Sequence, residues 1–235
     1  MGIAEKNAKT RTAEKLISVS FVRSVSKIKV IKNETRLAAI EQQAAILFKQ
    51  KGYMAASMKD IAEQIGIEAP SLYNHINSKA DLLKEICFSV ADCFEAEMEK
   101  ADERNESPEL ALEQMLRFHI KMMLNNFIPL WVANHEWKHL SPIDLKKYTD
   151  KRRQYENKMR SLIDQGIIEG KFAALDAKMA TLIMLAALRG LEFWQRDKQP
   201  THTEILEDNI IQQLFKGLTP IYGSTFSSFA GKRNN

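Results

Sequence analysis

The chain has 235 residues, 45% of them apolar and 27% charged, with a formal net charge of +4. That is enough to bury a sizeable core in one or two domains, but its longest apolar stretch, Met179 to Leu188, is about half of the roughly 20 residues a bilayer-spanning helix needs. The two cysteines, Cys87 and Cys93, sit six apart on one predicted helix and point to different faces, so they cannot pair within it, which suits a reducing cytosol and makes the two Asn-x-Ser/Thr sequons chance matches.

Residues 1–32 form a basic arm, with eight Lys or Arg against Glu5 and Glu14, a balance of +6 that alone makes the chain basic. Such an arm either adds salt-sensitive phosphate contacts or is an inert leader, including one created by a misassigned start. A first helix is predicted over 36–51. Ser57 then caps a second helix over 58–65, with Asp60 as its capping-box partner and Ile61, Ala62 and Ile65 at helical spacing. Gly66 ends it in a left-handed turn, and Pro70 opens a third helix over 69–75. This third helix has only Leu72 and Ile76 to bury, leaving Ala69, Ser71, Tyr73, Asn74 and His75 outside. Two short helices about a glycine turn, the second polar and exposed, outline a helix-turn-helix, and its Ser, Tyr, Asn and His side chains can donate to phosphates or, for Asn, read an adenine edge. The alternative is a helical hairpin used only for packing.

Residues 36–83 resemble the DNA-binding domain of the tetracycline-repressor (TetR) family of bacterial regulators. The resemblance runs through Ile40, Ala44, Ala45, Leu47, Phe48 and Gly52-Tyr53, then Ser57-Met58, Asp60-Ile61-Ala62 and Gly66-Ile67. It closes with Ser71 to Ile76, Ser78-Lys79 and Leu82-Leu83. It implies an all-α fold, with an N-terminal three-helix helix-turn-helix DNA-binding domain (33–83) and a C-terminal helical ligand-binding and dimerisation domain (84–218) before a polar tail (219–235). By that resemblance the DNA-binding residues are Ser57, Met58, Lys59, Ala69, Pro70, Ser71, Tyr73, Asn74, His75 and Lys79. Ala69 stands where many relatives carry a basic residue, so Tyr73, His75 and Lys79 are assigned to phosphates.

The remainder reads as helices. A long one runs from its N-cap Ser78 to about Arg104 and joins reader to ligand domain; the next covers about 108–126. Pro129 is expected to interrupt the following segment, Ser141-Pro142 to open a helix reaching about Glu169, and Gly170 to stop it. Two more helices are placed near 175–196 and 202–216. The run HEWKH at 135–139 matches the HExxH zinc pattern, with His135 and His139 as ligands and Glu136 as base. Lys138 at an inner position, Pro142 directly after, and the absence of a spaced third ligand make it a chance match; a metal-dependent hydrolase would require stoichiometric zinc.

The same segment resembles a subset of TetR regulators that respond to acyl-CoA thioesters. The matching residues are Glu136, Trp137, Lys138 and Leu140, then Tyr155-Glu156 and Gly166 to Gly170, and last Arg189, Phe193, Trp194 and Arg196. An acyl tail needs an apolar tunnel, and the candidate ligand-binding residues are Leu116, His119, Met122, Met123, Phe127, Trp131, His135, Arg189, Phe193 and Trp194, with the arginines meeting CoA phosphates. Methionine and aromatic stripes are also what an ordinary helical core contains. The expected dimer surface is Leu182, Leu185, Ala186, Ile210, Ile211 and Leu214. The expected protein is a cytoplasmic homodimeric repressor that binds double-stranded operator DNA and a small-molecule effector, with no cofactor, no catalysis and no membrane. A sensor of hydrophobic compounds controlling an efflux pump, and a lipid carrier that ignores DNA, are the competing readings.

Overall fold

The computed structural model describes residues 32–194 and 203–218, and all regular structure among them is helical. In chain order these helices are α1 (Lys32–Lys51), α2 (Met58–Ile65), α3 (Ala69–Tyr73), α4 (Lys79–Arg104), α5 (Pro108–Asn125), α6 (Phe127–His135), a 3-10 turn (Trp137–His139), α7 (Pro142–Ile168), α8 (Ala177–Trp194) and α9 (Thr203–Lys216). The basic arm before Lys32, the side chain of Trp194, Arg196 and the tail after Leu218 lie outside the described residues.

The described chain divides into two compact units. One contains residues up to Ser89 together with Trp131–Leu145; the other contains Val90–Leu130 and the residues from Lys146 onward. By sequence 131–145 falls wholly in the ligand domain, and its grouping with the reader changes how that segment is understood.

In the reader unit the core is built from apolar residues at helical spacing: Ile40, Ala44 and Phe48 on α1, Ile61 on α2, Leu72 on α3, and Leu82 and Leu83 on α4 are all completely buried. α1 packs on α2 and α2 on α3. In the second unit α5 is the central helix, packed on α8 and α9. Its Leu112, Met115, Leu116, Ile120 and Met123 join Met159 and Ile163 of α7 and Leu188 of α8 in the core.

Helix ends follow local chemistry. Ser107 accepts from the Leu110 amide, and Pro108 occupies the first turn of α5, where an N–H would have no partner. Pro129 does the same for α6, so it does not interrupt that segment: a proline at the third residue of Phe127–His135 removes a donor the helix could not have used. Ser141 accepts from the Asp144 amide at the start of α7. At its other end Gly170 takes φ +72°. Gly166 is fixed by space instead, since a Cβ there would lie 2.3 Å from Cδ2 of Phe172, whose own N–H donates to the Gly166 carbonyl at 3.0 Å.

Candidate nucleic-acid interface and effector site

The α2–α3 pair is fixed at three points. At its start Ser57 and Asp60 form a reciprocal capping box, the Asp60 amide donating to Ser57 Oγ at 3.1 Å and the Ser57 amide to Asp60 Oδ2 at 2.8 Å. These bonds from Ser57, with Lys51 at 3.2 Å, hold the Asp60 carboxyl down at about 2. At the turn Gly66 adopts φ 75°, ψ 34°, and its N–H reaches back to the carbonyls of α2. At α3, Leu72 is completely buried and Ile76 is buried just beyond the helix end, because α3 stops at Tyr73, two residues sooner than expected.

This anchoring turns the polar side of α3 outward. Tyr73 is 52% exposed, Pro70 and Asn74 are exposed, and Ala69, Ser71 and His75 are half-buried. Lys59 on α2 is exposed and Met58 half-buried. Tyr73, Asn74 and His75 have no side-chain partner among the described residues, so their hydrogen-bonding capacity is left for another molecule. Two expected contacts are already occupied. The Ser57 hydroxyl is held by Asp60 at 2.5 Å. Lys79 Nζ donates to the carbonyls of Tyr53, Met54 and Ala56 at 2.9, 3.3 and 2.7 Å and lies 4.5 Å from the Tyr53 ring centre, so it closes the α1–α2 turn instead of waiting for a phosphate.

The HEWKH run does not form one helical face. His135 ends α6 and stacks on Trp131 at 4.4 Å, whereas His139 belongs to the 3-10 turn, stacks on Tyr53 at 5.2 Å and meets Glu136 at 3.4 Å. The helix breaks between the histidines, which gives each a different aromatic partner. Among the described residues no three His, Cys, Asp or Glu side chains gather to hold a metal.

The predicted ligand residues separate as well. Leu116 and Met123 are core, Met122 is buried with its Sδ 3.3 Å from Asn126 Nδ2, and Phe127 is half-buried. Trp131 and His135 belong instead to the reader unit, where Lys49 lies 5.9 Å from the Trp131 ring. Arg189 and Phe193 are exposed on α8. His119 is the predicted ligand residue with a built surrounding: Phe94 packs edge-on at 4.9 Å, and Tyr155 Oη lies 3.4 Å from Nδ1. Tyr155 Oη also donates to the Met115 carbonyl at 3.3 Å. Burial, reinforced by the charges of Arg189 and Arg152, lowers the His119 pKa to about 3, so the ring is neutral near pH 7. Burial likewise pushes the Tyr155 phenol upward, with the Glu97 charge adding to it. The result is an uncharged donor and acceptor pair inside an aromatic wall.

A profile described as bacterial regulatory proteins of the tetR family matches residues 40–86, and one described as the tetracyclin repressor-like C-terminal domain matches 105–218. The chain belongs to the TetR family. Its TetR-type reader and C-terminal helical domain are thus matched separately, and the all-α architecture is that of the family. Among curated proteins, the HTH-type transcriptional repressor KstR2 of Mycolicibacterium smegmatis is 24% identical over 132 residues, 56% of this chain and 64% of that one. Among solved structures, the TetR family regulator PfmR of Thermus thermophilus aligns with a TM-score of 0.68 at 29% identity, covering 77% of this chain and 99% of that one. AibR, solved in complex with isovaleryl coenzyme A and operator DNA, aligns with a TM-score of 0.68 at 22% identity over 77% of this chain and 98% of its own.

Within this TetR protein the expected dimer residues fall into two groups. Leu182 is 50% exposed and Ala186 is exposed, while Ile210 and Leu214 are half-buried. Leu185 and Ile211 are buried in their own protomer, because Leu185 shares the inner face of α8 with Thr181, Met184 and Leu188. Ile205 of α9, which the sequence also offers for this surface, is 58% exposed, and Met179 and Ile183 of α8, which it does not, are 55% and 59% exposed.

Proposed function

We propose that this chain is a homodimeric, cytoplasmic repressor that holds a palindromic operator through two copies of α3 and releases it when an acyl-CoA thioester occupies the helical unit. The observation that carries the DNA-binding part is the polar side of α3, which has no partner among the described residues and is anchored from behind by Leu72 and Ile76. A five-residue helix held this way has no packing use for Tyr73 and Asn74. The dimer uses Met179, Leu182, Ile183 and Ala186 of α8 with Ile205 of α9, an exposed apolar stripe that a second copy would cover. A wider separation of the two readers than one duplex turn, about 34 Å, weakens operator binding.

The acyl-CoA assignment is supported by the neutral His119–Tyr155 pair, which suits an uncharged thioester carbonyl better than a carboxylate standing alone, and by the cationic Arg152 and Arg189 near it. It is in keeping with the CoA ester bound by AibR. The test is fluorescence anisotropy on the DNA upstream of the protein's own gene, with and without a panel of acyl-CoAs and their free acids. Tight, salt-dependent binding reversed by one thioester and not by its acid is the expected result. Binding indifferent to the whole panel would refute the effector, and no binding at low salt would refute the regulator.

A further inference from the structure

Trp131–Leu145 is embedded in the reader unit although the residues before and after it along the chain belong to the other unit. It is tied to the reader at four separate points. Trp131 lies under Lys49 of α1, with 5.9 Å between ammonium and ring centre. Glu136 Oε1 approaches Gly52, where a Cβ would stand 4.0 Å away and where φ is +81°. His139 stacks on Tyr53 with 5.2 Å between centres and 22° between planes. Asp144 pairs with Lys84 of α4 at 3.2 Å.

Three of these contacts reach the end of α1 and the turn after it, and the fourth reaches α4. Tyr53 is buried in the α1–α2 turn, and Lys79, seated against the same ring, fastens three carbonyls of that turn to the first residue of α4. α3 lies between α2 and α4 in the chain and is too short to fix its own direction, so its aim is set by these two neighbours.

We propose that Trp131–Leu145 is a strap that positions the reading helix, and that His139 is its positioning residue, acting through Tyr53 and Lys79 without touching DNA. The proposal uses the DNA-binding reading above only for its binding arm.

The test compares wild type, His139→Ala and His139→Phe by hydrogen exchange of the DNA-free protein and by anisotropy on the upstream DNA. Loss of the ring should speed exchange across Gly52–Ala56 by about tenfold or more, where the Ala56 amide donates to the Gly52 carbonyl at 3.2 Å. It should also weaken DNA binding by about tenfold, within the range by which a residue remote from the ligand tunes affinity. The salt dependence should keep its slope, because no phosphate contact is lost. His139→Phe, which keeps a stacking ring, should restore both. If His139→Ala proves unfolded, Lys84→Met, which breaks the Asp144 pair alone, should still weaken binding at an unchanged salt slope; unchanged binding in Lys84→Met would then overturn the proposal. Unaltered exchange across Gly52–Ala56 overturns the strap whatever the DNA result. Faster exchange with unaltered DNA affinity overturns the positioning role, and a salt slope reduced by about one would make His139 a phosphate contact. Wild type that binds no DNA refutes the regulator reading, while the exchange arm still decides whether the strap holds the turn.

Discussion

In the reader, the side chains of Tyr73, Asn74 and His75 end without partners among the described residues, whereas in the second unit polar groups tie one helix to another. Tyr73 stands on a helix whose inner side is anchored by Leu72, and Asn74 and the half-buried His75 follow directly after it. In the other unit Arg117 on α5 grips Glu113 at 2.8 Å and Glu207 and Asp208 of α9 at 3.1 and 2.7 Å. Lys151 on α7 pairs with Asp92 and Glu95 of α4, and Lys158 with Asp102. A surface built to meet another molecule keeps its donors unpaired, and a surface built to hold a fold together does not. The contrast also explains Lys79, which by position belongs to the first group and by its three carbonyl partners to the second.

The sharpest way to break this contrast is to cut into the packing of each unit and ask which property fails. Leu116→Ala, at a completely buried site of α5, should cost about 2–5 kcal/mol in urea or thermal unfolding. Tyr73→Ala combined with Asn74→Ala should leave the unfolding midpoint in place and weaken operator binding by about 1–3 kcal/mol per lost base or phosphate contact, read by anisotropy. A double variant that unfolded early would show that these side chains serve packing after all. Arg117→Met should lower stability by about 1 kcal/mol or less, since the side chain is 29% exposed and its pairs are partly screened.

The smallest effect is a pH dependence. His119 is held neutral by burial, with its pKa lowered to about 3, against about 6.5 for an unfolded histidine. Because the unfolded chain takes up the proton first, the stability this group contributes is complete above about pH 6.5 and declines as pH falls toward 3. His119→Gln should flatten that decline in urea midpoints measured between about pH 7 and 4.5. An unchanged profile would place the acid sensitivity of that window at another group; Asp60, whose carboxyl is held down at about 2, loses its contribution only below about pH 4.

Much of the reader is legible in the sequence because its signals are local. Ser57 with Asp60, Gly66 and Pro70 each act within four residues, and the structure realises all three. The buried pair Leu72 and Ile76 follows from spacing alone. Contacts between distant segments have no such signature. Nothing in Trp131 or His135 announces that they pack in the reader unit instead of lining a tunnel, and the stacking of His139 on Tyr53 joins residues far apart in sequence. The Gly166 to Gly170 run stands out in the sequence by resemblance, yet its physical reason is the Phe172 ring, which a Cβ at Gly166 would strike, and the left-handed Gly170. Pro129 misleads because a proline breaks a helix only beyond its first turn. On α8 the period separates inner from outer positions, but not finely enough to assign Leu185 to the core.

The most direct test of the central claim, that α3 is an operator reader, is a DNase I footprint of the full chain on its own upstream DNA, beside the Tyr73→Ala, Asn74→Ala double variant. The account predicts a protected palindrome whose half-sites are centred about one duplex turn apart, and its loss in the double variant at an unchanged unfolding midpoint. A footprint that survives the double variant, or no footprint for the wild type, would contradict it.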